Sequence, residues 1–314
     1  CQDLIISIIS PFIEKLEHTF NSSVDSEVQI QLQSYIPSVL QTITCKVEDL
    51  IAPFATRMIK VLIAVFEFRK TIVDEPMLAI GSVLTECENL VPSVFPEMKK
   101  FFVAAFNNPE DVNSLIASLH CLSIMCDYPD IALFSHDNGT FCDQIVQCFF
   151  QILQNPNAPF VAKPEIFSAF GDLSLCIGTN FDRYFPSVMG ALESASGILI
   201  PPDSDDTMID NIIQLRQTII ATYSMFVHSN FEVLVNKHFN ALLHFLELVW
   251  ADTEFRTKKL VQHIILLISD MSLQAKLSGT SQMLKHDTID SIVLFCKHRS
   301  TSSKIRAIAN KISL

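Results

Sequence analysis

Apolar residues recur along this chain every three or four positions, the spacing of one face of an α-helix. Ile51, Phe54, Met58, Leu62 and Val65 form one such face. The pattern predicts amphipathic helices, and strand-like alternation is rare, so we expect an all-α protein. The predicted helices span residues 2–19, 26–45, 48–67, 75–90, 95–107, 109–126, 140–154, 163–178, 182–196, 206–228, 236–250, 255–275, 281–298 and 302–313.

Prolines punctuate this helical pattern at a regular distance. Pro11, Pro53, Pro96 and Pro186 each open a segment of similar pattern, and the gaps between them are 42, 43 and 90 residues. The longest gap equals two periods of 45, and another helix start falls near its middle, at residues 139–141. A period in the forties with two helices per period is typical of HEAT and armadillo repeats.

We therefore predict a single α-solenoid of stacked HEAT-type helical hairpins over residues 1–314, with about seven hairpins. One hairpin cannot bury its own apolar stripe, so neighbouring hairpins must stack on it. Cys1 is not a translation start and no leader pattern follows it. We therefore expect the chain to be a fragment of a longer protein.

Composition narrows the class of partner. The chain has 34 acidic and 22 basic residues, a net charge of −12, which favours a basic polypeptide and disfavours nucleic acid. The alternative is that the charge serves solubility alone. Nine scattered cysteines without a CxxC pair indicate reduced, mostly buried thiols in the cytosol or nucleus. The apolar runs are too short for membrane insertion.

Catalytic and metal-binding patterns are not apparent. His238 and His244 do not belong to an HExxH or CxxC arrangement, and no GxSxG motif occurs. We therefore expect no enzyme activity, no catalytic residue, no metal and no cofactor, and we expect partner binding instead.

Acidic residues recur on the second helix of the predicted hairpins. If those helices line a concave face, their carboxylates form a row suited to Lys and Arg side chains of a cargo. The alternative is that they are solvated outer positions. The candidate residues are Glu14, Glu97, Asp143, Glu193 and Glu247.

Trp250 is the single tryptophan and is flanked by Glu247 and Asp252. Such a site suits a partner's basic side chain stacked on the indole ring, and the alternative is packing between repeats. The acidic run at 203–206 either caps the helix that follows it or contacts cargo.

Two consecutive stretches, KPEIFSAFGDLSLCIG (163–178) and NFDRYFPSVMGALESAS (180–196), resemble the C-terminal part of the importin-β (karyopherin-β) family. The shared features are a Lys-Pro, a Phe-Gly-Asp and an Ile-Gly in the same order and spacing. Segments 209–227, 73–102 and 298–314 resemble the family as well.

The resemblance implies a nuclear import receptor that works in the cytoplasm, the nucleus and the nuclear pore complex. It implies that a basic segment of importin-α or a similar cargo binds the acidic concave face. Ran-GTP would bind through N-terminal repeats that this chain lacks.

The resemblance also implies a secondary site for nucleoporin Phe-Gly repeats between the first helices of adjacent hairpins. Its candidate lining residues are Leu84, Leu115, Leu119 and Phe167. The alternative is that all four side chains face the core. The competing functional class is a HEAT-repeat scaffold that organises an enzyme complex, as a phosphatase A-type subunit does.

Overall fold

The computed structural model describes residues 2–20, 26–128, 134, 139–298 and 302–312, and it confirms the all-α fold. No strand occurs in these ranges, and none of their helices is both long and apolar enough to cross a bilayer. The helices are α1 Gln2–His18, α2 Ser26–Val47, α3 Ala52–Arg69, α4 Asp74–Glu86, α5 Val91–Phe106, α6 Val112–Cys126, α7 Thr140–Gln154, α8 Ala162–Ile177, α9 Phe185–Ser196, α10 Asp206–Ser229, α11 Phe239–Ala251, α12 Lys258–Leu277, α13 Asp287–His298 and α14 Ser303–Lys311.

The helices form two compact units, Cys1–Ala162 and Lys163–Leu314. In unit 1, α2, α4 and α6 pack side by side in chain order, and we call them the first row of this unit. Helices α1, α3, α5 and α7 form its second row, where α1 packs on α3 and α5 packs on α7. Phe66 of α3 meets Phe101 of α5 with ring centroids 5.0 Å apart, which links the middle of that row.

Unit 2 repeats this arrangement. Its first row is α8, α10, α12 and α14, and its second row is α9, α11 and α13. The Thr222 hydroxyl of α10 donates to the Phe167 carbonyl of α8 at 2.9 Å, which joins the first two helices of the row. Within each unit, successive hairpins therefore contribute one helix to each row, as HEAT-type repeats do.

Side-chain caps decide where several helices begin. Asp111, Asp205, Thr257 and Ser302 each accept a hydrogen bond from the backbone amide three residues further on. The prediction that a helix starts at residue 109 was wrong, because the Asp111 cap delays α6 until Val112. For the same reason α12 begins at Lys258 rather than at residue 255.

The four periodic prolines do not all open helices. Pro53 and Pro186 lie in the first turns of α3 and α9, as predicted. Pro11 lies inside α1, in agreement with the predicted helix 2–19. Pro96 lies inside α5, so the prediction that a helix begins beside it, at residue 95, was wrong. In α5 the first turn holds an additional proline, Pro92, which occupies the position where a missing amide costs no helical hydrogen bond.

Aromatic side chains fill the second-row side of each core. In unit 1, Phe106 of α5 packs on Phe149 of α7 with centroids 5.0 Å apart, and in unit 2 Phe185 packs on Phe226 at 4.9 Å. All four rings are fully buried.

Seven of the eight described cysteines are buried and Cys45 is exposed, which agrees with the predicted core thiols. Burial raises the pKa of the Cys121 thiol to about 12.

A close contact between α8 and α10 explains a glycine of the Phe-Gly-Asp sequence. A Cβ atom at Gly171 of α8 would lie 2.2 Å from the Met225 sulfur and 3.3 Å from the Met225 Cβ of α10. A Cβ at Gly190, inside α9, would meet nothing within 4 Å. Gly171 therefore allows α8 and α10 to approach, whereas Gly190 has no such role.

This difference predicts opposite effects for the same substitution. Gly190→Ala should raise the free energy of unfolding by up to about 1 kcal/mol, through helix propensity alone. Gly171→Ala should lower it by about 1 kcal/mol, because an overpacking cost of roughly 1–3 kcal/mol exceeds the propensity gain. Urea unfolding of the whole chain measures both. Equal stabilisation by the two variants would show that α8 and α10 do not approach closely.

Candidate functional site

The five predicted acidic residues all lie on second-row helices, and all are exposed. Glu14 is on α1, Glu97 on α5 and Asp143 on α7, in unit 1. Glu193 is on α9 and Glu247 on α11, in unit 2. Each unit thus carries part of the predicted row. Whether these carboxylates can bind a basic ligand depends on the partners that they already have within their unit.

In unit 1, carboxylates at the junctions between neighbouring second-row helices are already paired with bases. Glu17 of α1 accepts two hydrogen bonds from the Arg57 guanidinium of α3, at 2.9 and 2.6 Å. Glu67 of α3 accepts one from the Lys100 ammonium of α5 at 2.8 Å. These bonds hold the pKa of Glu17 and of Glu67 below the ordinary value. The negative charge at each of these junctions is therefore compensated within the chain.

Glu14 lies in the same mixed-charge surroundings. The charge of Glu14 acts on Arg57 and contributes to its raised pKa, after the larger effect of the Glu17 hydrogen bond. Helices α1, α3, α5 and α7 together carry six acidic and six basic residues. The second row of unit 1 therefore has no net charge, although its predicted carboxylates alone suggested an acidic surface.

In unit 2, the corresponding carboxylates meet histidine or hydroxyl groups instead of lysine or arginine. Glu193 of α9 lies 3.6 Å from Nδ1 of His238, just before α11. Glu247 of α11 accepts a hydrogen bond from the Thr288 hydroxyl of α13 at 3.0 Å and lies 4.0 Å from Nδ1 of His244. Both glutamate side chains are 47% exposed. They lie at the same kind of junction as in unit 1, and among the described residues neither has a lysine or arginine partner.

In unit 2 the second-row helices carry a net negative charge, unlike the neutral second row of unit 1. Helices α9, α11 and α13 carry four acidic residues, Glu193, Glu247, Asp287 and Asp290, and one lysine, Lys297. The Lys297 ammonium donates to the Ile312 carbonyl at 3.3 Å. We call the exposed side of α9, α11 and α13 the acidic surface of unit 2.

Trp250 already has a cation on its ring. The guanidinium carbon of Arg256 lies 4.1 Å from the indole centroid, and its Nη1 donates to the Trp250 carbonyl at 2.8 Å. The Phe295 ring of α13 packs edge-on against the indole at 5.3 Å. The chain therefore supplies the basic partner that the sequence assigned to cargo, and the tryptophan packs between neighbouring second-row helices.

Two other acidic positions also have structural partners. Asp252 accepts a hydrogen bond from buried Arg216 of α10 at 2.8 Å, so it neutralises a charge inside the unit. Asp205 accepts from the Met208 amide at 2.8 Å and caps α10. The capping interpretation of the 203–206 run is confirmed for Asp205.

The four residues predicted to line a Phe-Gly groove are buried. Leu84, Leu115, Leu119 and Phe167 are each exposed by 1% or less, so their side chains face the core, and the expectation that they face outward was wrong. The physical reason is that first-row helices are covered on several sides. Helix α6, for example, contains no charged residue and packs against both α4 and α5.

The residues that sequence analysis missed are the cross-junction partners. They are Arg57, Lys100, His238 and Thr288. Arg57 follows Glu17 by 40 positions and Thr288 follows Glu247 by 41, which is close to one repeat period. A search for complementary side chains one period apart would have found these two pairs.

The family model described as "Importin subunit beta-1-like, TPR repeats" matches residues 1–297. The chain belongs to this importin subunit beta-1-like family. Curated relatives include importin subunit beta-1 of Schizosaccharomyces pombe, 23% identical over 286 residues, and that of Arabidopsis thaliana, 26% identical over 232 residues. These matches cover 86% and 70% of this chain, and 32% and 26% of the relatives. The chain thus spans about a third or less of their length.

Solved structures with the same fold include a crystal structure of importin beta in an ammonium sulfate condition. It has a TM-score of 0.83 and 19% identity, and the match covers 98% of this chain and 37% of that one. Two structures of the yeast protein Kap95, one concerning RanGDP and one a complex with Nup1, each match with a TM-score of 0.76 and 19% identity. They cover 96% and 98% of this chain, and 36% of each Kap95 chain.

The environment of Trp250 yields a direct test, because this chain has no other tryptophan. Arg256→Ala should move the fluorescence maximum to longer wavelength and increase quenching by acrylamide, since it uncovers one ring face. It should also lower stability by about 0.5–1 kcal/mol. Arg183→Ala is the control, because Arg183 stacks on Tyr184. If both variants leave the emission unchanged, the indole is not covered by Arg256.

Proposed function

We propose that this chain is the part of a nuclear transport receptor that binds a basic, helix-forming peptide, and that the peptide binds the acidic surface of unit 2. The observation that carries the proposal is the arrangement of Glu193 and Glu247. Each lies at a junction of second-row helices where unit 1 has a lysine or arginine partner and the described part of unit 2 has none.

The chemistry of these junctions suits a lysine or arginine from another chain. Glu193 and Glu247 are about half exposed, and a carboxylate accepts several hydrogen bonds. An incoming guanidinium or ammonium would occupy the place that Arg57 takes beside Glu17 in unit 1. A charge-assisted hydrogen bond of this kind is stronger than one from a neutral hydroxyl group, such as that of Thr288 to Glu247.

A row of such junctions favours a helical ligand. Neighbouring packed helices lie about 8–10 Å apart, and two turns of a peptide helix span about 11 Å. Basic residues seven positions apart on one face of the peptide would therefore reach Glu193 and Glu247 in turn. Family membership supports a basic segment of importin-α or a similar cargo as the source of this peptide.

Nucleoporin Phe-Gly repeats are a second proposed partner, supported by the Nup1 complex of the Kap95 neighbour. Because the four predicted lining residues are buried, we move this proposal to Leu273 and Leu277 of first-row helix α12, which are 56% and 75% exposed. A Phe-Gly peptide that leaves amide exchange in α12 unchanged would rule out this site.

Contact with Ran through other repeats of a longer receptor, and transit between cytoplasm and nucleus, stay predictions.

The main proposal predicts which charges control affinity. Changing Glu193 and Glu247 together to Gln should weaken binding of a Lys/Arg-rich helical peptide roughly tenfold, because two ion pairs are lost. Raising the salt concentration should weaken the unchanged chain more than the double variant. Fluorescence polarisation with a labelled peptide at two salt concentrations measures both effects.

The matched control is the double variant Glu14→Gln with Glu97→Gln. It removes the same charge from second-row helices of unit 1, and we expect less than a threefold loss of affinity. Equal losses in the two double variants would show that net charge, and not the acidic surface of unit 2, controls binding. A chain that binds neither the basic peptide nor a Phe-Gly peptide would instead favour the scaffold function.

A further inference from the structure

The basic residues of this chain are concentrated in one segment of the sequence. Residues 256–311 contain ten of the 22 lysines and arginines but only three of the 34 aspartates and glutamates, a net charge of +7. The remaining residues, with 12 basic and 31 acidic side chains, carry −19. Such an asymmetry indicates that a chain which is acidic in sum also presents a surface that attracts negative charge.

Helix α14 contributes an exposed basic face to this segment. Its nine residues include Lys304, Arg306 and Lys311 and no carboxylate. The helix packs on α12 and α13, and Ile305 and Ala309 form its buried side. All three basic residues are exposed, so their charge is presented to solvent and not to the core.

Two lysines of α14 are available to a ligand. Lys304 and Lys311 are seven positions apart, so they lie on the same side of the helix and about 11 Å apart along its axis. Within the described residues, neither ammonium group has a hydrogen bond or an ion pair. Ala307 is exposed between them, and its short side chain leaves room for a second surface to approach.

The spacing of these lysines fits the acidic surface of unit 2. Glu193 lies at the junction of α9 with α11, and Glu247 at the junction of α11 with α13. Neighbouring packed helices are about 8–10 Å apart, close to the rise between Lys304 and Lys311. Helix α14 therefore has the properties inferred above for the basic ligand, since it is helical, positively charged and carries lysines seven positions apart.

This ligand cannot bind the acidic surface of its own copy. Helix α14 is held against α13, which is itself part of that surface, and the Lys297 ammonium of α13 donates to the Ile312 carbonyl just after α14. The exposed face of α14 points away from the helices on which it packs. Only the acidic surface of another molecule can therefore meet it.

We propose that the exposed face of α14 in one copy of this chain binds the acidic surface of unit 2 in a second copy. Lys304 and Lys311 pair with Glu193 and Glu247 across this contact. The proposal rests on the basic-ligand site proposed above and adds a ligand that the chain itself supplies. Because two different surfaces meet, the contact is heterologous, and further copies can add in the same way.

The contact has a consequence for cargo binding. Exposed ion pairs contribute little each, so the copies associate weakly, at high protein concentration and low salt. A basic cargo peptide uses the same two glutamates and competes with α14. Self-association thus covers the acidic surface when cargo is absent, and cargo separates the copies by mass action.

Sedimentation velocity of the whole chain at several protein concentrations tests the contact. We expect the sedimentation coefficient to rise with protein concentration at low salt, and to fall back when salt or a Lys/Arg-rich helical peptide is added. Changing Lys304 and Lys311 together to Gln should weaken association roughly tenfold. The matched control is Lys276→Gln with Lys285→Gln, which removes the same charge from exposed positions outside α14.

Exchange of the charges identifies the two partners. One variant carries Lys304→Glu and Lys311→Glu, and the other carries Glu193→Lys and Glu247→Lys. Each variant alone should stay monomeric, because its two surfaces have like charge. A mixture of the two should associate, because the α14 face of each variant is again opposite in charge to the acidic-surface positions of the other.

Several results would overturn the inference. A chain that stays monomeric at every concentration but still binds the basic peptide would leave the proposed function intact and remove only the contact between copies. Loss of both would count against the peptide site itself. Equal losses in the two Gln double variants would show that only diffuse charge acts. Association that persists at high salt, or a mixture of exchanged variants that stays monomeric, would place any contact elsewhere.

Discussion

Packing of each helix on the same helix of the next hairpin is the constraint on which this structure depends. A hairpin with an apolar stripe cannot bury it alone, so each repeat needs its neighbours. The contact between α8 and α10 shows how close the helices come, because Gly171 leaves no room for a methyl group beside Met225. Thr222 adds a hydrogen bond to the Phe167 carbonyl across the same contact.

Stacking also creates the junctions at which charge is matched or left unmatched. A carboxylate on one second-row helix meets a side chain of the next second-row helix, roughly one repeat later in the sequence. In unit 1 that side chain is Arg57 or Lys100, and in unit 2 it is His238 or Thr288. Exposed ion pairs contribute little to stability, so the difference matters for what each unit can bind rather than for its folding.

Periodicity of apolar residues was enough to predict the helices and their type, because a repeat imposes the same pattern several times. Helix ends were less predictable. The cap at Asp111 and the start of α5 ahead of Pro96 depend on local geometry that the proline spacing does not express.

The candidate sites could be predicted only in part, because they depend on helix phase and on neighbours from other repeats. The acidic residues were correctly placed on second-row helices, yet the partners of Glu17 and Glu67 come from helices about one repeat away. Leu115 and Leu119 were assigned to the outside because α6 has more apolar residues than one stripe needs. Helix α6 packs against both α4 and α5 and both leucines are buried, so the surplus of apolar residues reflects burial on several sides.

The central claim is that a basic peptide binds at the junctions of Glu193 and Glu247 in unit 2. The most direct test is amide hydrogen exchange of the whole chain with and without a Lys/Arg-rich helical peptide. If the peptide occupies these junctions, exchange should slow at residues 231–238, the short helical segment that carries His238, and at residues 284–290, which include Thr288 in the first turn of α13. The corresponding start of α3 at residues 52–57 in unit 1 should exchange as before. Slower exchange at the start of α3, with residues 231–238 and 284–290 unaffected, would contradict the assignment of the basic ligand to unit 2.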